Sequence, residues 1–98
     1  MQCCKLRDKQ EKIKLSSDFL NVISENNRLN ILRILKRGGL SVCEIYQYLD
    51  LPQNLVSHHL KVLKDFGLLN SQRKGKRNIY SLDQGVIRRY KSLLNKFI

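Results

Sequence analysis

The sequence predicts a mostly α-helical, α+β-class domain with one small β-hairpin near its end. Three observations predict it. Four successive stretches carry apolar residues at helical spacing. A segment at 68–82 breaks that period with short extended runs around a glycine. Helical spacing then returns in a last stretch, 83–98. The 98 residues suffice for one domain and not for two. With three Phe, four Tyr and no Trp, the core must be built from Leu, Ile and Val.

Residues 1–15 are mixed in charge and poor in apolar side chains, and they read as an N-terminal arm or short helix ahead of a single domain at 16–98. From Asp18 the pattern is helical: Phe19, Leu20 and Ile23 share a face, with Ser16 or Ser17 as a candidate cap. Asn26-Asn27 interrupts that run and offers a cap for the next helix. There Leu29, Ile31, Leu32, Ile34 and Leu35 cover most of the circumference, which predicts burial on more than one side. Gly38-Gly39 ends it.

Ser41-Val42-Cys43-Glu44 has the spacing of a capping box and opens a short helix with Ile45 and Leu49 inward. Asp50-Leu51-Pro52 is a turn, with Pro52 suited to the first position of the following helix, which runs to about Phe66. Leu55, Val56, Leu60 and Leu63 form its inner stripe. Gly67 ends it, and two extended runs flank the basic turn Lys74-Gly75-Lys76 as a hairpin. In the last helix Val86, Ile87, Tyr90, Leu93, Leu94 and Phe97 make a clean apolar stripe, fit to pack on a partner or to close the domain.

Nineteen Lys and Arg against eight Asp and Glu give a formal net charge of +11. Such a field repels like copies and attracts polyanions, of which nucleic acid is the commonest inside cells. No stretch approaches the ~18 apolar residues of a membrane span. Met1-Gln2-Cys3-Cys4-Lys5 lacks the apolar core of a signal peptide. The expectation is a cytoplasmic protein with no membrane partner, its three cysteines kept as thiols.

The order short helix, Pro turn, helix is a helix-turn-helix. The outer face of its second helix holds Gln53, Asn54, Ser57, His58, Lys61 and Lys64: amides, hydroxyl, imidazole and cations without a carboxylate. Amides and hydroxyls read base edges in a major groove, and cations hold phosphates. The hairpin adds Arg73, Lys74, Lys76 and Arg77 around Gly75, a cluster of like charges that phosphates would relieve. An ordinary solvated face and a Lys-protected edge hairpin are the bland alternatives.

Val56-Ser57-His58-His59-Leu60-Lys61-Val62-Leu63, then Phe66-Gly67-Leu68-Leu69, then Arg73 to Leu82, resemble the ArsR/SmtB-type winged-helix repressors. Asn27-Arg28-Leu29-Asn30-Ile31-Leu32 also resembles that family's entry into its second core helix. The resemblance spans Asn26 to Leu82. It implies a winged helix-turn-helix: helices, a β-wing, then a C-terminal dimerisation helix at 83–98. It implies a homodimer joined through the first and last helices by the stripe Val86, Ile87, Tyr90, Leu93, Leu94 and Phe97. It implies sequence-specific binding of double-stranded DNA at an inverted-repeat operator and repression until an inducer acts. His59 reads as a partly buried brace rather than a base reader.

Many repressors of this type sense arsenic(III) or soft metals through a Cys-Val-Cys box before the recognition helix. The matching stretch here keeps Cys43 and has Ser41 at the first cysteine position. The family's second site, His and carboxylate ligands on the last helix, finds only Asp83 in 83–98. Cys3 and Cys4 lie in the N-terminal arm, which in relatives of this kind reaches the other protomer. A cup of Cys3, Cys4 and Cys43 would suit trigonal arsenic(III) better than zinc, and a reversible disulfide is the redox version. The alternative is a regulator with no small-molecule inducer, constitutive or partner-controlled.

No nucleophile–base set, phosphate loop or carboxylate pair supports an enzyme, and no cofactor is required. RNA binding would favour exposed aromatics on the outer face, and a protein-interaction module an apolar patch there. That face has neither, and a winged helix that binds RNA or protein remains the rival reading.

Overall fold

The structure is a computed structural model; it describes the backbone of residues 2–98 and the side chains of residues 9–98. Helix α1 (Gln2–Ile23) leads into α2 (Asn26–Ile34), which tightens into a 3-10 turn (Leu35–Arg37). Strand β1 (Leu40–Ser41) precedes α3 (Val42–Leu49) and α4 (Gln53–Asp65). Strands β2 (Leu69–Lys74) and β3 (Arg77–Leu82) form the hairpin, and α5 (Gln84–Asn95) closes the chain. The sheet is antiparallel in the order β1-β3-β2.

The core is one cluster: Phe19, Ile31, Leu35, Ile45, Val56, Leu60, Leu63, Leu68 and Leu69 are all buried. Each such aliphatic side chain contributes on the order of 1.5–3 kcal/mol relative to exposure. Around it, Tyr90 of α5 stacks on Phe19 at 4.6 Å between ring centroids and on Phe66 at 5.3 Å. Offset aromatic pairs at such spacings add to area burial, so α5 is fastened to its own domain at its middle.

Several expectations are corrected. Ser16 and Ser17 cap nothing: α1 is continuous, and the Ser16 hydroxyl donates to the Lys12 carbonyl at 2.9 Å inside the helix. Residues 5–15 contain no Gly or Pro, so nothing stops the helix. The cap of α2 is Glu25, whose carboxylate accepts from the Arg28 N–H at 2.9 Å, rather than Asn26 or Asn27. Leu20, Leu29 and Leu55, expected inward, are exposed. Only Ile31 and Leu35 of the second helix's apolar set are fully buried, because its other sides face a groove and solvent. Pro52 stands one position outside α4, its carbonyl accepting from Leu55 and Val56 N–H at 3.1 Å each.

β1 was not foreseen. It pairs Leu40 with Tyr80 and Ser41 with Ile79. The approach is so close that a Cβ on Gly39 would stand 2.8 Å from Ile79 Cγ2. Ser41 then makes both bonds of the capping box: its N–H donates to Glu44 Oε1 at 3.1 Å, and its hydroxyl accepts from Glu44 N–H at 3.3 Å.

Candidate nucleic-acid interface

Helix α4 separates its residues by face. Val56, His59, Leu60 and Leu63 are buried. Gln53, Asn54, Ser57, His58, Lys61 and Lys64 are all exposed. At about 100° per residue these six fall within an arc of about 140° on one side of the helix. That width matches a helix seated in a groove, with the buried residues opposite. Asn54 Oδ1 accepts from its neighbour's N–H, Leu55, at 3.0 Å, which holds the amide at the first turn.

Sequence reasoning missed Tyr46 of α3. Its hydroxyl donates to the Gln53 carbonyl at 3.3 Å and lies 3.0 Å from Ser57 Oγ. With the tyrosine proton spent on the carbonyl, the Ser57 hydroxyl donates to Tyr46. Ser57 then presents lone pairs outward, suited to an amino group on a base edge. Nothing in the spacing of residues 46, 53 and 57 announces this link. It arises where α3 crosses α4.

His59 is buried, with only 7% of its surface exposed. Its Nε2 lies 3.6 Å from Glu25 Oε2, and neither ring nitrogen makes a hydrogen bond within the protein. Burial, assisted by Arg28 and His58, pushes its pKa below the usual histidine value against the pull of Glu25. Its burial against Glu25, the cap of α2, fits the brace expected of it.

The hairpin turns on Gly75 and Lys76, with Gly75 at φ 65°. Gly75 has a positive φ and Lys76 does not, which is the II′ pattern and puts glycine where it costs least. Arg73, Lys74, Lys76 and Arg77 are all exposed. Lys74 and Arg77 stand opposite each other in the register. Arg73 Nε donates to the Gly75 carbonyl at 3.2 Å, stiffening the tip. Two hydrogen bonds with Ser41 hold the Glu44 carboxyl below its ordinary pKa, with a smaller contribution from the charge of Arg77.

Cys43 is exposed in the first turn of α3. The side chains of Cys3 and Cys4 lie outside the described residues. Among the described residues no three His, Cys, Asp or Glu gather as a metal site. The Ser41 hydroxyl, at the position of the missing cysteine, is consumed by the capping box. Of the α5 stripe, Val86, Ile87, Tyr90 and Leu94 pack against the chain's own core, Leu93 is half-buried and Phe97 is exposed. No helix among the described residues is long and apolar enough to cross a membrane.

Residues 25–71 match the model of a bacterial regulatory protein family, the arsR family. Among curated proteins, the arsenical resistance operon repressor of Staphylococcus aureus is 31% identical over 71 residues, covering 72% of this chain and 68% of the relative. The transcriptional repressor SdpR of Bacillus subtilis is 31% identical over 71 residues, covering 72% and 79%. The crystal structure of the transcriptional regulator HlyU from Vibrio vulnificus superposes with a TM-score of 0.72 at 26% identity, covering 100% of both chains.

Proposed function

The chain belongs to the arsR family of bacterial regulatory proteins, winged-helix transcriptional regulators rather than enzymes, and from that premise we propose a homodimeric repressor that places one α4 on each half of an inverted repeat. Gln53, Asn54, Ser57 and His58 face base edges. Lys61, Lys64 and the wing cations Arg73, Lys74, Lys76 and Arg77 hold phosphates. The observation that carries this reading is the carboxylate-free arc of α4, exposed from end to end, in a chain whose hairpin tip carries four exposed cations.

Dimerisation through α1 and α5 draws support from exposed apolar side chains on and just after those helices: Ile13 and Leu15 on α1, and Phe97 and Ile98 following α5. Because Tyr90 is committed to its own protomer, the contact falls on Leu93, Phe97 and α1 more than on the centre of the stripe.

The inducer reading uses thiols. At about 1.5 Å per residue, position 3 of α1 lies roughly 24 Å along the helix from Phe19. Cys3 and Cys4 therefore meet Cys43 most readily across a dimer, in a three-thiolate cup for arsenic(III) or a soft metal. The arsenical resistance relative supports that class of inducer.

A gel-shift titration compares the duplex upstream of the chain's own gene with a random duplex and an RNA hairpin. Preference for the first, at two protomers per duplex, is expected. Equal binding to all three, or preference for RNA, refutes the assignment. Arsenite added to the DNA complex should release it. Release that persists in Cys43→Ser removes that thiol from the account.

A further inference from the structure

α1, α2 and α5 enclose a groove of about 690 Å³ that neither DNA contact nor thiol chemistry uses. Pockets of roughly 300–1,000 Å³ with apolar walls and a few polar groups are the usual form of a small-molecule site. Ile23, Leu29 and Ile87 supply apolar wall here, and Arg33, Lys36 and Lys91 are the charged lining. Among the described residues no Asp or Glu lines it. None of the three cations makes an ion pair among the described residues. Arg33 is oriented by the bond from its Nε to Asn30 Oδ1 at 3.1 Å. Leu29 remains 52% exposed there, a large apolar side chain without cover.

We propose that this groove binds an amphiphilic monocarboxylate of medium chain length, the alkyl chain on Ile23, Leu29 and Ile87 and the carboxylate among Arg33, Lys36 and Lys91. Charge and position decide between this occupant and a second copy of the chain. The adjoining surface of α5 carries Arg88, Arg89 and Lys91 without an acid, and the whole chain is at +11. The second copy proposed above is placed on Ile13, Leu15, Leu93 and Phe97, none of which lines this groove, whereas a carboxylate neutralises the groove's cations. A thiol-reactive inducer finds no cysteine lining the groove among the described residues.

Seating a ligand also bears on the wing. Leu68, just before β2, and Leu82, the last residue of β3, line the same groove. An alkyl chain lodged against them acts on both roots of the hairpin. Binding itself does not depend on the repressor reading. Its effect on DNA does.

The test is calorimetric titration of the full chain, without DNA, by octanoate, decanoate and dodecanoate below their micellar concentrations. Each added methylene should tighten binding about three- to fourfold until the groove is filled. Dodecyltrimethylammonium, of equal length and opposite charge, should bind at least tenfold more weakly. Leu29→Glu and Arg33→Glu, both at exposed positions, should keep the circular dichroism spectrum and thermal midpoint while weakening dodecanoate at least tenfold. Equal affinity for the acid and the ammonium overturns the proposal, as does unchanged affinity in both variants. So does sedimentation showing that Leu29→Glu splits a dimer, since the groove would then be a contact between copies. Dodecanoate is then added to the DNA complex. Release supports the link to the wing, and retention with dodecanoate bound overturns it. A chain that takes up dodecanoate and binds no DNA leaves the groove proposal standing and refutes the repressor reading alone.

Discussion

Removing the wing's charges tests the interface most directly. Lys76→Ala with Arg77→Ala deletes two exposed cations per protomer at the hairpin turn. Each phosphate-bound cation contributes about 0.9 to the slope of log K against log salt, so the loss is about 1.8 per protomer and about 3.6 for a dimer on one duplex. Between 50 and 200 mM salt, the parent's affinity should therefore fall about a hundredfold more than the variant's. Specific and random duplexes should suffer alike, because phosphates carry no sequence. The companion variant, Ser57→Ala with His58→Ala, removes two groups expected at base edges. It should keep the salt slope at pH 7.5 and narrow the ratio of specific to random binding by about 1–3 kcal/mol, roughly ten- to a hundredfold. Fluorescence anisotropy of labelled duplexes at four salt concentrations reads both quantities. If the two variants change slope and ratio in the same way, the division between groove helix and wing is wrong.

Tyr46→Phe frees Ser57 and the Gln53 carbonyl from the hydroxyl that joins them. Stability should change by less than about 1.5 kcal/mol, while discrimination between operator and random duplex weakens; unchanged discrimination would make Tyr46 a bystander. His59 has a folded pKa below its unfolded one, so the unfolded chain binds more protons in that window. Stability is complete above about pH 6.5 and falls as pH drops below it. Melting temperatures at pH 7.5 and 5.5 should differ less in His59→Leu than in the parent, and an equal difference would point to another group. Gly39→Ala forces a methyl group into Ile79, for a cost of about 1–3 kcal/mol in urea unfolding; a neutral result would mean that β1 can step away from β3 freely.

Much of this was legible. The stripe Val56, Leu60, Leu63 is set by helical period, and burying those three residues forces Gln53, Ser57 and Lys61 outward. The capping box and the glycine turn are local devices, visible wherever their residues stand at the right spacing. What stayed hidden depends on partners distant in sequence. Two residues of β1 are too few to show a period, and only Tyr80 and Ile79 make them a strand. Leu29 and Leu55 carry the residue type of a core without its environment. The stacking of Tyr90 between Phe19 and Phe66 joins three helices, and so shifts the expected subunit contact along α5. The continuity of α1 was obscured because its first half has a polar surface, although nothing in it breaks a helix.

The two-residue turn at Gly75 and Lys76 limits how such a wing can change its reach. Side chains alternate faces along β2 and β3, so adding one residue to each strand would carry the paired cations Lys74 and Arg77 to the opposite side of the ribbon. Adding two to each restores the side and moves the tip about 6.8 Å farther out. That increment equals about two steps of a duplex strand. A hairpin with this turn keeps its Lys74–Arg77 pair on the same side only when it lengthens by two residues per strand, so on the proposed DNA contact its footprint would grow in jumps of two nucleotides.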